Sequence, residues 1–339
     1  MKKINFAIIG CGRIAARHAE IISRIGKLTA VCDIKPERAE YFSGKYNAKA
    51  FLSVAEMLDN INDTDVITVC TPNYLHAEHT LLSLRHKKHV ICEKPMALSS
   101  ADCQQMIDEA LKAERDLFIV KQNRFNPPVE KLKEIIDEGR LGRIIGFQIN
   151  CFWNRNKEYY TGSDWKGRKE LDGGTLFTQF SHFIDLMYWL MGDVNKVQAI
   201  GKNFLHGEVA DFEDTGCVII ELKNGAIGTI NYTVNSYGKN MEGSLTVFGE
   251  NGTVKIGGQY LNVLEYQMFR DNYRISGLPE SRPANDYGFY QGSMSNHEKV
   301  YENVLEVLYN GGTIVANAYE GMKTVEIIEK IYKSMNSMR

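Results

Sequence analysis

From residue 4 to about residue 120, short apolar runs alternate with amphipathic stretches. The runs at 6–9, 28–32, 66–70, 89–92 and 117–120 are apolar almost throughout, which is the pattern of strands buried on both faces. The intervening segments at 14–25, 36–45, 54–58, 77–86 and 101–113 carry apolar residues at the three-to-four spacing of helices with one buried side. Strand and helix in repeated alternation predict an α/β domain built on a doubly wound parallel sheet.

The pattern changes after Phe125-Asn126-Pro127-Pro128. A helix is expected over 129–138, stopped by Gly139. Residues 144–152, 214–222 and 226–234 then alternate like half-buried strands, and Asn224-Gly225 between the last two is a strong hairpin signal. A second hairpin is expected around Glu250-Asn251-Gly252, between 244–249 and 253–256. One helix over 176–191 precedes the hairpins, and two more, over 295–308 and 316–335, close the chain. This half reads as an α+β domain with a large, mainly antiparallel open sheet. The expected division is therefore 1–123 and 124–339. Residues 271–290 are polar, rich in turn formers and without a period, so a long loop is expected there.

Composition narrows the class. At 339 residues the chain exceeds the roughly 250–300 that one core supports, which agrees with two domains. A hydrophobic fraction of 44%, a charged fraction of 24% and a net charge of −2 give no reason to expect nucleic acid or an anionic membrane as partner. No basic segment leads into an apolar leader, and no apolar run approaches the ~20 residues of a membrane span, so a cytoplasmic location is the expectation. The seven cysteines are odd in number and contain no C-x-x-C pair, so buried free thiols are expected rather than disulfides or a metal site.

The first candidate chemistry lies between the first strand and the first helix. Gly10-Cys11-Gly12-Arg13-Ile14-Ala15 spells G-x-G-x-x-A. Gly10 makes the tight turn, Gly12 lets a pyrophosphate approach the backbone, and Ala15 lets the helix pack closely. The helix start then favours the phosphate charge. Asp33 ends the second strand where a ribose-binding acid is expected, and it favours NAD over NADP. Lys35 two residues later would soften that preference, and Asp33 capping the next turn is the plainer alternative.

Two further strand ends are more specific. Residues 66–70 lead into Thr71-Pro72-Asn73-Tyr74-Leu75-His76, and 89–92 lead into Glu93-Lys94-Pro95. With the glycine loop, these segments resemble the Gfo/Idh/MocA family of sugar and cyclitol oxidoreductases, over nearly the whole chain. The resemblance implies NAD as cofactor. It also implies that Thr71, Pro72, Asn73, His76, Glu93, Lys94, Gln122 and Trp165 join Gly10, Cys11, Gly12, Arg13, Ile14 and Asp33 in binding it. Lys94 is expected to stabilise a substrate oxygen as hydride leaves. His182 is expected to be the acid/base group, with Thr178, His182 and Asp185 on one helical face and Asp185 placed to orient the ring. A core histidine held by a helix neighbour is the alternative. Many members of the family carry a carboxylate four residues before this histidine; here the residue is Thr178, which argues against the inositol dehydrogenase pattern.

The stretch from Asn150 to Gly167, with Gln179-Phe180-Ser181-His182 and Tyr290-Gln291-Gly292-Ser293-Met294-Ser295-Asn296-His297, is similar to the bacterial UDP-N-acetylglucosaminuronate 3-dehydrogenases. That resemblance implies a nucleotide-linked uronic acid as substrate. The expected contacts are Arg124, Arg155, Tyr159, Lys166, Arg168, Thr178, Gln179, His182 and Asn296. The alternative is that the aromatics pack on the sheet while the cations line its wet rim. Oxidation of a free sugar or inositol, a cycle that oxidises and re-reduces one sugar on bound NAD, and a non-catalytic NAD-dependent sensor remain open at this point. A large open sheet favours a homodimer or homotetramer.

Overall fold

The computed structural model describes residues 3–286, 288 and 290–337. The expected loop at 271–290 includes Tyr287 and Phe289, which lie outside the described residues.

The chain divides into two compact units, Met1–Val120 with His297–Val325, and Lys121–Asn296 with Glu326–Arg339. The sequence pattern gave no sign that His297–Val325 returns to the first unit, because an amphipathic helix carries no label of the surface it covers.

The first unit begins with β1 (Asn5–Ile9), α1 (Arg13–Ile25), β2 (Lys27–Cys32), α2 (Pro36–Tyr46), β3 (Lys49–Phe51), α3 (Val54–Asn60), β4 (Val66–Val69), α4 (His76–Arg85), β5 (His89–Cys92), α5 (Ser100–Ala113) and β6 (Leu117–Ile119). The six strands form a parallel sheet in the order β3-β2-β1-β4-β5-β6. The order reverses between β1 and β4, and in such sheets ligands bind beyond the carboxyl ends of the strands at this point. β4 is buried along its whole length, and β1 along all but its first residue, as their largely apolar runs require.

The second unit holds α6 (Pro127–Asp137), β7 (Ile144–Phe152), α7 (Lys157–Thr161), α8 (Lys169–Asp172), α9 (Ser181–Met191), β8 (Val194–Lys202), β9 (Thr215–Leu222), β10 (Ile227–Thr233), β11 (Glu242–Gly249), β12 (Gly252–Gly257), β13 (Val263–Phe269), β14 (Ala284–Asp286) and β15 (Gln291–Met294). Seven of these strands form one sheet in the order β13-β12-β11-β7-β10-β9-β8, antiparallel except where β7 meets β10. Both expected hairpins form, and Gly225 takes the positive φ of 88° that the first needs. The strands β8 and β13 escaped the sequence pattern, since their outer residues include Ile200, Val263 and Met268, which blur the alternation. The polar stretch after β13 is not all loop; it contributes β14, which pairs with β15. Two helices close the chain, α10 (His297–Asn310) and α11 (Ala318–Ser337).

One face of the seven-stranded sheet is covered. Trp153 packs edge-on against Phe183 and tilted against Phe180, and Phe180 meets Tyr232. The opposite face stays open, with Ile200, Ile219, Ile227, Phe248, Tyr266 and Met268 exposed along it. All seven cysteines are free and six are buried; Cys217 is exposed on β9, because its neighbours in the strand alternate and its own side chain falls on the open side. Among the described residues no helix is long and apolar enough to cross a membrane.

Candidate functional site

In the first unit, the turn after β1 forms as the glycines demand. Gly10 has φ of +89°, and a Cβ on it would lie 2.8 Å from the backbone of Cys70 and 2.9 Å from Thr71 Cγ2. The Gly10 amide donates to the Cys32 carbonyl at 2.7 Å. Gly12 caps α1, and the space where its Cβ would stand is open to 4 Å. An open approach to backbone at a helix start suits a pyrophosphate. Arg13 is exposed and Ile14 half-buried, while Cys11 and Ala15 are buried beneath the turn. Burial and the neighbouring Asp33 push the Cys11 thiol up to about 12, so it is an inert packing group.

Asp33 has a double engagement. Its Oδ2 accepts the Cys11 amide at 2.8 Å and its Oδ1 accepts the Lys35 amide at 2.9 Å. The carboxylate therefore caps its own turn, as the plainer alternative held. It also braces the glycine loop, and a carboxylate so fixed still has lone pairs for ribose hydroxyls.

The two strand-end segments are joined by His76. Buried at 1% exposure, its ring bridges Pro95 O at 2.6 Å and Thr71 O at 2.9 Å. Burial pushes its pKa down while the two carbonyls, which only accept, partly raise it again, and the ring braces the T-P-N and E-K-P turns. Asn73 is buried in the first of these turns, with Thr71 and Pro72 half-buried. Lys94 is half-buried, in a turn whose Lys94–Pro95 bond is cis. Glu93, expected to face the cofactor, points instead into the interior. It is 5% exposed, and its Oε1 accepts His18 Nε2 at 2.9 Å.

In the second unit, His182 is buried at the start of α9, where Leu176–Phe180 form a single π-type turn before the α-helix begins. Thr178 lies in that wide turn, and His182 and Asp185 follow it in the regular helix. Thr178 turns its hydroxyl to the Asp172 carboxylate. His182 Nε2 lies 3.3 Å from Gln122 Nε2, and Gln122 Nε2 also donates to Ser293 Oγ at 2.9 Å. An amide nitrogen only donates, so the facing ring nitrogen is the unprotonated one, the form a general base requires. Gln122 Oε1 is buried without a partner, an acceptor available to a ligand donor.

Asp185 carries the charge of this cluster. Arg124 meets it through Nη2 at 2.7 Å and Nε at 2.9 Å, and Lys121 Nζ stands 3.4 Å away. Burial alone would raise its pKa; the Arg124 and Lys121 charges outweigh burial and bring it down to about 2.

Several expected substrate contacts are committed elsewhere. Arg124 has a side chain with no exposure and stacks beneath Trp189 at 4.9 Å, so its fork belongs to Asp185 rather than to a ligand. Arg155, 2% exposed, donates to Gln179 Oε1 at 2.7 Å and to Asn240 Oδ1 at 3.2 Å, amid the rings of Trp153, Tyr159 and Tyr290. Gln179 in turn donates to the buried Tyr159 hydroxyl at 2.7 Å. Asn296 is buried and donates to Asn126 Oδ1 at 2.7 Å. These side chains are held by partners within the fold, as buried polar groups require.

The cations at the rim differ. Lys166 is half-buried, with Nζ 3.7 Å from the centre of the Tyr159 ring and 5.4 Å from that of Tyr290. Arg168 is exposed and Trp165 half-buried in the same segment.

Residues that sequence reasoning passed over include Lys121, Asp172, His18 and Tyr301. His18 had a visible signal, since it falls on the apolar stripe of α1 with Ala15, Ala19 and Ile22.

The chain matches two family descriptions. The oxidoreductase family with an NAD-binding Rossmann fold covers residues 4–121, and the GFO/IDH/MocA C-terminal domain covers residues 129–255. A myo-inositol 2-dehydrogenase of Thermotoga maritima is 31% identical over 265 residues, 74% of this chain and 74% of that one. The WlbA dehydrogenase from Chromobacterium violaceum, solved in complex with NADH and UDP-GlcNAcA, superposes with a TM-score of 0.90 at 34% identity, covering 100% of this chain and 95% of its own. The WlbA dehydrogenase from Bordetella pertussis, with the same two ligands, gives 0.88 at 32% identity, covering 100% and 98%.

Proposed function

Because the chain belongs to the GFO/IDH/MocA family of NAD-binding oxidoreductases, we propose that it oxidises the 3-hydroxyl of a UDP-linked N-acetylhexosaminuronate. The observation that carries this choice is the likeness, over the whole chain, to two dehydrogenases solved with NADH and UDP-GlcNAcA. Thr178 supports it as well, since a hydroxyl tied to Asp172 supplies no second base next to His182.

When bound, NAD accepts the hydride that leaves the sugar carbon. The chain's own groups do the rest. The glycine loop and Asp33 hold the dinucleotide by backbone amides and a braced carboxylate. Gln122 Oε1 receives a donor from cofactor or sugar. His182 Nε2 exchanges its contact with Gln122 for the substrate hydroxyl and takes its proton as the C–H bond breaks, and the Lys94 ammonium stabilises the oxygen while it carries negative charge. Lys166, exposed enough to reach a ligand and steadied over Tyr159, is assigned to the uronate carboxylate or the diphosphate. Arg168 beside it adds charge that draws an anion in. The exposed apolar face of the seven-stranded sheet supports a homo-oligomer, and the likeness to dehydrogenases holding UDP-GlcNAcA supports a place in polysaccharide precursor synthesis.

The test is incubation with NAD and UDP-N-acetylglucosaminuronate, following NADH absorbance and the mass of the sugar. NADH formation with loss of two hydrogens from the sugar supports the proposal. Turnover of myo-inositol or free hexoses with none of the nucleotide sugar overturns it. A product of unchanged mass and no net NADH, but exchange of deuterium at the sugar carbon, identifies a cycle that re-reduces its own substrate. In Lys166→Ala, KM for the nucleotide sugar should rise about tenfold with kcat little changed.

A further inference from the structure

Three segments far apart in sequence converge on Glu93 inside the first unit. His18 from α1 offers Nε2 to Glu93 Oε1 at 2.9 Å, and its Nδ1 meets the Tyr301 hydroxyl at 2.9 Å. His297, the first residue of α10, brings Nε2 to 3.5 Å from the same oxygen. Tyr301, one turn along α10, also reaches Thr68 Oγ1 on β4 at 3.2 Å. The other carboxylate oxygen, Glu93 Oε2, accepts the backbone amide of Lys94 at 3.1 Å.

We propose that His18 and His297 are positioning residues for Lys94, holding the Glu93 carboxylate so that it fixes the amide from which the Lys94 side chain springs. The proposal rests on the assignment of Lys94 as the group that stabilises the substrate oxygen.

A charged carboxylate only accepts, so His18 donates from Nε2 to Glu93, and its Nδ1 shares a hydrogen bond with the Tyr301 hydroxyl. Tyr301 shares a second one with Thr68. The His18 ring is thereby oriented from β4 and α10. Burial would raise the Glu93 pKa; hydrogen bonds from His18 and His297 outweigh it and hold the group well below the usual carboxylate range. Burial lowers the pKa of His297, which keeps that ring neutral.

Such a cluster is an expensive way to fill a core. Apolar side chains of similar volume usually replace buried charged groups at no loss of stability. His297 Nδ1 is moreover buried with no partner, a further penalty that packing alone does not require. The three side chains are of metal-ligating type and lie within 4.8 Å of one another. With both His18 nitrogens engaged, proton-mediated contacts account for the geometry without an ion.

The experiment compares Glu93→Gln, His297→Leu, His297→Gln and Lys94→Ala with the parent protein. Three quantities are read: NADH affinity by fluorescence, turnover of UDP-N-acetylglucosaminuronate with NAD, and the rate at which an amine-reactive reagent labels Lys94, followed by peptide mass spectrometry. The proposal expects kcat to fall about tenfold or more in Glu93→Gln and His297→Leu, with KM and NADH affinity within about threefold. Lys94 labelling should change at least about threefold in both. His297→Gln, which restores a donor at the Nε2 position, should recover most of both losses. The proposal is overturned if labelling and kcat in Glu93→Gln and His297→Leu stay within about twofold of the parent. Normal turnover in Lys94→Ala would instead remove the role of Lys94, while the labelling rates still decide whether the network positions it. Should Glu93→Gln fail to fold, Tyr301→Phe, which deletes one oxygen and keeps the ring, carries the same labelling test with a smaller change in the same direction.

Discussion

Asp185 grips Arg124 by both edges of the guanidinium fork, Oδ1 to Nη2 at 2.7 Å and Oδ2 to Nε at 2.9 Å, and neither side chain is more than 2% exposed. Lys121 shares the same carboxylate at 3.4 Å. Removing the carboxylate leaves two cations buried in the second unit without compensation. Asp185→Asn should therefore destabilise the protein by about 3–5 kcal/mol in urea unfolding. The acid limb has a defined place. The Asp185 pKa lies near 2 in the fold against 3.8 ordinarily, so its contribution is complete above pH 3.8 and is lost as pH falls through about 2. The loss amounts to about 2 kcal/mol. An Asp185-dependent loss of stability between pH 5 and 8 would contradict this account.

Asp33 is fastened at both oxygens, to the amides of Cys11 and Lys35. A serine there keeps one short acceptor and loses the charge that repels a 2′-phosphate. In Asp33→Ser the KM for NAD should rise about tenfold, equivalent to about 1.4 kcal/mol, and the preference for NAD over NADP should shrink. The measurement is KM for both cofactors with one sugar. An unchanged KM for NAD would limit Asp33 to bracing its own loop.

Much of this was legible in the chain. The parallel sheet announced itself because doubly buried strands are apolar at nearly every position, as 66–69 are apart from Thr68. The glycine loop was readable because Gly10 occupies a place no side chain fits. The fate of the cations was not readable. Arg124 and Arg155 look like ligand-binding groups in a row of letters, and only the positions of Asp185, Gln179 and Asn240, 24 to 85 residues away, reveal that they are already partnered. The π-type turn at Leu176–Phe180 was hidden for a related reason. Helical spacing assumes a regular ladder, and a single wide turn leaves no mark in the spacing of the apolar residues.

The open face of the seven-stranded sheet carries Ile219 and Ile227 at 58% and 62% exposed, with Ile200, Phe248, Tyr266 and Met268 on the same side. A bare apolar sheet of this kind is covered in most proteins that stay in solution. Ile219→Arg with Ile227→Glu should lower the mass found by light scattering to that of a single chain. A parent protein that is already a single chain at micromolar concentration would remove the proposed homo-oligomer.

Glu213 is the buried carboxyl set against the trend of the others. It is 4% exposed, and the Tyr332 and Tyr232 hydroxyls donate to its Oε1 at 2.8 Å and 3.1 Å. Burial raises its pKa from 4.5 to about 7, and these two hydrogen bonds only partly offset that rise. A raised carboxyl pKa means that the fold binds the proton more tightly than the unfolded chain does. Its contribution to stability is therefore full below pH 4.5 and declines as pH rises through about 7, a change on the order of 3 kcal/mol across that window. Glu213→Gln keeps the shape and removes the charge. The parent should lose stability between pH 5 and 8, and the variant should lose markedly less over the same range, so the two curves separate toward alkaline pH with the variant above. Parallel curves in urea unfolding at pH 5, 6.5 and 8 would show that Glu213 is ionised in the fold throughout, held by the two tyrosines alone.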